Sequence, residues 1–123
     1  MKIIDAIRDL DKLKHNTYDK GEKIKWLSNV DGMVKRLIID THEGGDAVQF
    51  TGYDEDTAED TELLVPSPFD VLYLYWLEAQ VDYHNGEFGK YNNAIVLFNT
   101  AYQTYADEYH RMHKPLSGKN SFF

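Results

Sequence analysis

Apolar side chains recur at three- and four-residue steps in four separate stretches, the spacing that puts them on one face of an α-helix. Ile3, Ile7, Leu10 and Leu13 form one stripe on an otherwise charged segment from about Ile3 to Lys14, which predicts a short helix docked on a neighbour. A second helix starts at Asp19. There Asp19-Lys20-Gly21-Glu22 has the spacing in which a cap carboxylate and an N3 glutamate satisfy each other's orphan backbone N–H groups. Trp26, Val30, Met33 and Leu37 carry its stripe, Ile24, Leu27, Val34 and Ile38 widen it, and Gly44-Gly45 stops it. Gly32 inside this helix costs about 1 kcal/mol relative to alanine and points to the close approach of another helix.

A third helix, Phe69 to Tyr83, opens on Ser67-Pro68-Phe69-Asp70, a serine N-cap with proline at N1 and an acid at N3. Val71 to Leu77 is apolar on every side, so this helix has to be covered all round, by sister helices or by another subunit. His84-Asn85-Gly86 ends it, and a short turn leads into a fourth helix from about Glu87 to His113, making an αα-hairpin. In the fourth helix Tyr91, Ile95, Phe98, Tyr102, Tyr105, Tyr109 and Met112 advance by alternating fours and threes, an unbroken heptad seam. Such a helix is roughly 40 Å long, longer than a compact chain of this size is wide, which predicts that one end projects.

Between the second and third helices, about residues 44–66, Val48 and Phe50 alternate and Leu63-Leu64-Val65 follows, leaving a short β-hairpin open as an alternative to irregular loop. The expected fold is all-α: a small bundle of about four helices forming a single domain over residues 1–123. It carries a long acidic loop at about 44–66 and a flexible tail at about 114–123, polar until Phe122-Phe123.

Charge sharpens this picture. The chain of 123 residues has 13 basic and 21 acidic side chains, a net charge of −8. Residues 40–62 hold nine carboxylates and no lysine or arginine, so the remainder is close to neutral. An acidic surface repels the phosphate backbone, which excludes a dedicated DNA-binding module and leaves open a place beside DNA where the duplex must not stick. A connection this long is uncommon inside a compact domain unless it has work to do, so Asp54, Glu55, Asp56, Glu59 and Asp60 are the candidate partner-facing residues, against a plain solvated loop. The absence of cysteine removes thiolate metal sites and cysteine nucleophiles and fits a reducing compartment. No apolar run approaches a membrane span, and the first residues lack a signal-peptide core, so an unexported, soluble protein is expected.

Candidate chemistry is thin. His110 and His113 lie one turn apart and together supply two ligands where zinc wants three or four. Asp54 to Asp60 resembles a calcium loop in composition but lacks the glycine at position six and the glutamate at position twelve. No nucleophile elbow, phosphate-cradling glycine loop or H-E-x-x-H is present, and Asp9 and Asp11 face different ways on their helix. The expectation is a protein with no catalytic residue, metal or cofactor. Its 17 aromatic side chains, 11 of them between Phe69 and Tyr109, suit core and interface packing.

The order of several motifs suggests a family: Asn16-Thr17-Tyr18-Asp19, then Lys25-Trp26-Leu27-Ser28-Asn29-Val30-Asp31-Gly32, then Gly52-Tyr53-Asp54, then Leu63-Leu64-Val65-Pro66-Ser67-Pro68-Phe69-Asp70. Last comes Tyr91-Asn92-Asn93-Ala94 followed by Leu97-Phe98-Asn99 and Ala101-Tyr102. Across nearly the whole chain this resembles the small helical head–tail connector (adaptor, head-completion) proteins of tailed bacteriophages and prophages of Gram-positive bacteria. The resemblance implies a virion protein assembled in the host cytoplasm as a homo-oligomeric ring under the portal, extending the DNA channel and meeting tail or stopper proteins. The acidic loop would then line or rim the channel, and Phe122 and Phe123 would anchor in a groove on a partner. The rival expectation is a cytoplasmic, prophage-encoded regulatory module that binds one protein through the acidic loop.

Overall fold

The structure, a computed structural model, describes residues 1–116. Its four helices are α1 (Ile3–Leu13), α2 (Lys20–Met33), α3 (Leu72–His84) and α4 (Phe88–Met112). The all-α bundle read from the sequence is present, but the short β-hairpin is not: the described residues contain only isolated antiparallel bridges, Lys2 with Glu62 and His42 with Pro115. The backbone groups a hairpin would need are engaged elsewhere. The Leu63 N–H donates to the Met1 carbonyl (2.9 Å), and the N–H groups of Leu64 and Val65 go to side chains of α2 and α3.

In α1 the predicted stripe buries Ile3, Ile7 and Leu10, with Ala6 beside them. Leu13 is the exception at 63% exposed, since the helix ends there and Lys14 turns extended to pair with the buried Asp82 of α3 at 2.7 Å. Asp19 caps α2, accepting from the Glu22 N–H at 2.8 Å, but the expected return bond from the Asp19 N–H to the Glu22 side chain is not formed among the described residues.

Beyond Met33 the helix does not continue as α. Val34–Ile38 forms a single π-helical turn and Ile39–Thr41 a 3-10 turn. A π turn takes in an additional residue and rotates everything after it. Ile38 and Ile39 are consequently both buried, while Leu37, placed by its spacing on the apolar stripe, is 59% exposed. Gly44 follows with φ +83°, and Gly45 is crowded: a Cβ there would stand 2.2 Å from the Ile39 carbonyl oxygen. The neighbour over Gly32 is the Phe50 ring of the acidic loop, 4.0 Å from where a Cβ would be, and not another helix.

Ser67 does not cap α3. The Phe69 N–H closes a turn onto the Pro66 carbonyl (2.9 Å), and a 3-10 turn at Phe69–Val71 leads into the helix. Leu72, Tyr73, Leu77, Ala79, Val81 and Asp82 of α3 are buried, and α1, α2 and α4 all pack on it. The helix that is apolar all round is therefore covered largely by its sister helices within one chain. Gly86, at φ +76°, closes the hairpin into α4.

The α4 seam buries Phe98 and Tyr105 and partly buries Tyr91, Ile95, Tyr102 and Tyr109; Tyr91 and Phe98 meet Tyr83 and Trp76 of α3, while Tyr105 meets Phe69 ahead of α3 and Tyr109 meets His42 beyond α2. The seam stops short of Met112, which is 69% exposed. The carboxyl end of α4 is tied down. Lys114–Leu116 runs antiparallel to Thr41–Glu43, with Glu43 N–H donating to the Lys114 carbonyl (2.8 Å) and Leu116 N–H to that of Thr41 (3.0 Å). Phe122 and Phe123 lie outside the described residues. No helix among the described residues is long and apolar enough to cross a membrane.

Candidate functional site: an acidic strap fastened to a buried carboxylate

The acidic connection is held to the bundle at three places. The first is Asp31, which stands one turn after Leu27 and one turn before Val34, in the middle of the buried side of α2, and is itself fully buried. Its Oδ2 accepts from the Tyr53 hydroxyl (2.5 Å) and the Leu64 N–H (3.0 Å), and its Oδ1 accepts from the Tyr73 hydroxyl (2.6 Å). Tyr73 in turn accepts from the Val65 N–H at 2.8 Å, and Ser28 Oγ accepts from the Tyr53 N–H at 2.9 Å. One carboxylate thus fixes both ends of the loop, Gly52-Tyr53 and Leu64-Val65, against α2 and α3. No cation among the described residues is paired with it, and burial raises its pKa against the pull of the two hydroxyls and the Leu64 N–H. The same burial, with the Asp31 charge beside them, pushes the Tyr53 and Tyr73 hydroxyls far above the ordinary tyrosine value.

The second fastening is at the start of α1. The first N–H groups of a helix lack partners inside it. Here Ile3 N–H donates to the Thr61 carbonyl and Ile4 N–H to the Glu59 carbonyl, both at 3.0 Å, so the loop backbone serves as the cap. The third is at the start of α2, where Glu59 pairs with Lys20 and the Glu55 carboxylate lies over Gly21, within 2.6 Å of where a Cβ would stand. Two helix N-termini thus face an acidic segment, the favourable sense of the helix dipole.

Of the five carboxylates singled out by sequence, three have work inside the chain. Asp54 accepts from the Asp56 N–H (2.9 Å) within its own turn, Glu55 covers Gly21 and Glu59 pairs with Lys20. Asp56 and Asp60 are exposed, with no ion pair among the described residues. The structure brings these five together on one strap; the other predicted pair, Phe122 and Phe123, lies outside the described residues. Sequence reasoning missed Asp31 and its two tyrosines. The signal was an ionisable residue at a core position of an amphipathic helix, where a charge belongs only if the fold supplies donors.

His110 and His113 do not converge. His110 Nδ1 lies 3.1 Å from Nε2 of the buried His42, whose Nδ1 is 2.7 Å from the Ile38 carbonyl and so carries its proton there. His113 instead stacks on Tyr109, with centroids 3.8 Å apart. Among the described residues no group of three or more histidine or carboxylate side chains is placed to hold a metal ion.

Fold and site together define a four-helix bundle whose acidic crossover is fastened down as an ordered strap. No protein-family model, curated protein or solved structure matches the chain.

Proposed function

We propose that the protein is a structural component of a tailed-bacteriophage virion, a head–tail connector that assembles with the portal and lengthens the DNA channel toward the tail. The observation behind this reading is the part played by the residues that carry the family resemblance. Asp31, Tyr53 and Leu63-Leu64-Val65 are the fastening of the strap, while Tyr91, Phe98 and Tyr102 belong to the α4 seam and Ala94 is buried beside it. The motif residues specify how a helical block presents a rigid acidic surface. That surface suits a wall along which DNA must slide without adhering, because like charge keeps the duplex off it.

The test is mass measurement in solution of the full chain with and without the portal protein of a tailed phage or prophage whose genome carries this sequence. A connector gives a high-mass complex with the portal, whereas failure to form one, together with capture of a toxin or transcription regulator through the strap, would establish the regulatory reading instead.

A further inference from the structure

The outward face of α4 has no explanation inside the chain. From Tyr91 to Ala106 the helix runs 16 residues without a charged side chain, about 24 Å, in a protein where 28% of residues are charged. Asn92, Asn93, Val96, Asn99, Thr100 and Gln103 lie exposed along it. Val96 is 61% and Leu97 50% exposed. Two of the polar groups make little demand on water, since Thr100 Oγ1 donates to the Val96 carbonyl (3.2 Å) and Thr104 Oγ1 to that of Thr100 (2.9 Å). Gly89, on the same face, has no neighbouring atom within 4 Å of where a Cβ would stand and no positive φ to require a glycine. Beside the face lies a groove of about 290 Å³ between α4 and the start of α3, walled by Val71, Tyr75, Leu97 and Ala101.

The charges bounding this stretch select the occupant. Lys90 precedes it, paired with Glu87 of its own chain at 2.8 Å, and Asp107 ends it, accepting from Gln103 Nε2 at 2.8 Å; both stay exposed to a second partner. Two such helices laid antiparallel about the midpoint of the stretch bring each Lys90 opposite Asp107 of the second copy, twice by symmetry; a parallel pair would oppose like charges. The rest of this net-acidic molecule offers a second copy mostly repulsion. We infer that the free protein forms a two-fold symmetric dimer through antiparallel packing of α4 on α4. This is the self-complementary contact expected of closed symmetric pairs, and a stripe this short places it in the weak, transient class. The inference does not rest on the connector reading.

Sedimentation equilibrium of the purified full chain at about 10 to 500 µM, a range spanning dissociation constants of weak complexes, tests it. The expected result is a monomer–dimer equilibrium. Val96→Glu should weaken it at least tenfold with an unchanged helical circular dichroism spectrum, because the side chain is exposed in the monomer. Lys90→Asp and Asp107→Lys should each weaken it about fivefold, and the double swap should restore it. Lys90 and Asp107 are 17 residues apart on one helix, too far to meet within one chain, so restoration requires pairing between copies. A chain that stays monomeric over the whole range overturns the inference, as does a dimer insensitive to Val96→Glu or one that the double swap fails to restore. None of these outcomes bears on portal capture, so the two readings fail separately.

Discussion

Asp31 shows how one residue can settle the position of a whole segment, here residues 52–65. A buried carboxylate with no cation is tolerated because three donors converge on it, and those donors then cannot leave without exposing it. Asp31→Ala strands two tyrosine hydroxyls and the Leu64 N–H and should cost roughly 3–5 kcal/mol, whereas Tyr53→Phe removes one of the three donors and should cost about 1–2 kcal/mol, both read from urea unfolding. The pH dependence has a definite sign. With its pKa raised above 3.8 in the folded state, Asp31 binds its proton more tightly there than in the unfolded chain, so its contribution to stability grows as pH falls. The difference in stability between the native chain and Asp31→Asn should widen in favour of the native chain on acidification toward that value. The tyrosines act in the same sense at alkaline pH, since their protonated form is also the one the fold favours. Tyr105 is pushed up to about 12 by burial, the Tyr109 hydroxyl and Asp31, so the stability it contributes is complete below pH 10 and is lost as pH rises through 12. Tyr53 and Tyr73 extend the loss further up the scale. Tyrosinate absorbance and helical circular dichroism followed together should show these three rings ionising only as the chain unfolds.

At the scale of elements, what repeats was legible and what interrupts a repeat was not. The four helices, the Asp19 cap and the Gly86 turn follow from periodicity and local hydrogen-bond chemistry, which act over a few residues. The π turn at Val34–Ile38 does not, since nothing in Val-Lys-Arg-Leu-Ile departs from an ordinary helical pattern. The gain comes from tertiary burial of both Ile38 and Ile39. The fastening of the strap was hidden for a related reason. Its partners are 22 to 42 residues apart, and no local rule links Asp31 to Tyr53 or Tyr73. The register is open to a direct check. Continuous α-helical spacing makes Leu37 a core residue, whereas the π turn turns it outward, so Leu37→Ser should change stability by no more than about 0.5 kcal/mol while Ile38→Ala costs about 2–4 kcal/mol. Equal losses at the two positions in thermal unfolding would return the helix to uniform α geometry.

For the molecule as a whole, the central question is why a chain with net charge −8 concentrates nine carboxylates in residues 40–62. Part of the answer is structural, since Asp40 pairs with Lys35, Glu59 with Lys20 and Glu62 with the amino terminus, and the strap backbone caps α1. Asp56 and Asp60 fall outside it: they are exposed, unpaired among the described residues, and add to the mutual repulsion of the strap. Neutralising both as Asp56→Asn with Asp60→Asn should leave the fold as stable as before or up to about 0.5 kcal/mol more so, because lost repulsion outweighs any exposed attraction. Raising ionic strength from about 0.1 to 1 M shortens the screening length from about 10 to 3 Å and should narrow any difference in melting temperature between variant and native chain. If the variant is instead destabilised, the two carboxylates have a structural task within the chain. If it folds unchanged yet loses its place in a portal complex, their charge acts on a partner, and the strap is the surface through which this bundle works.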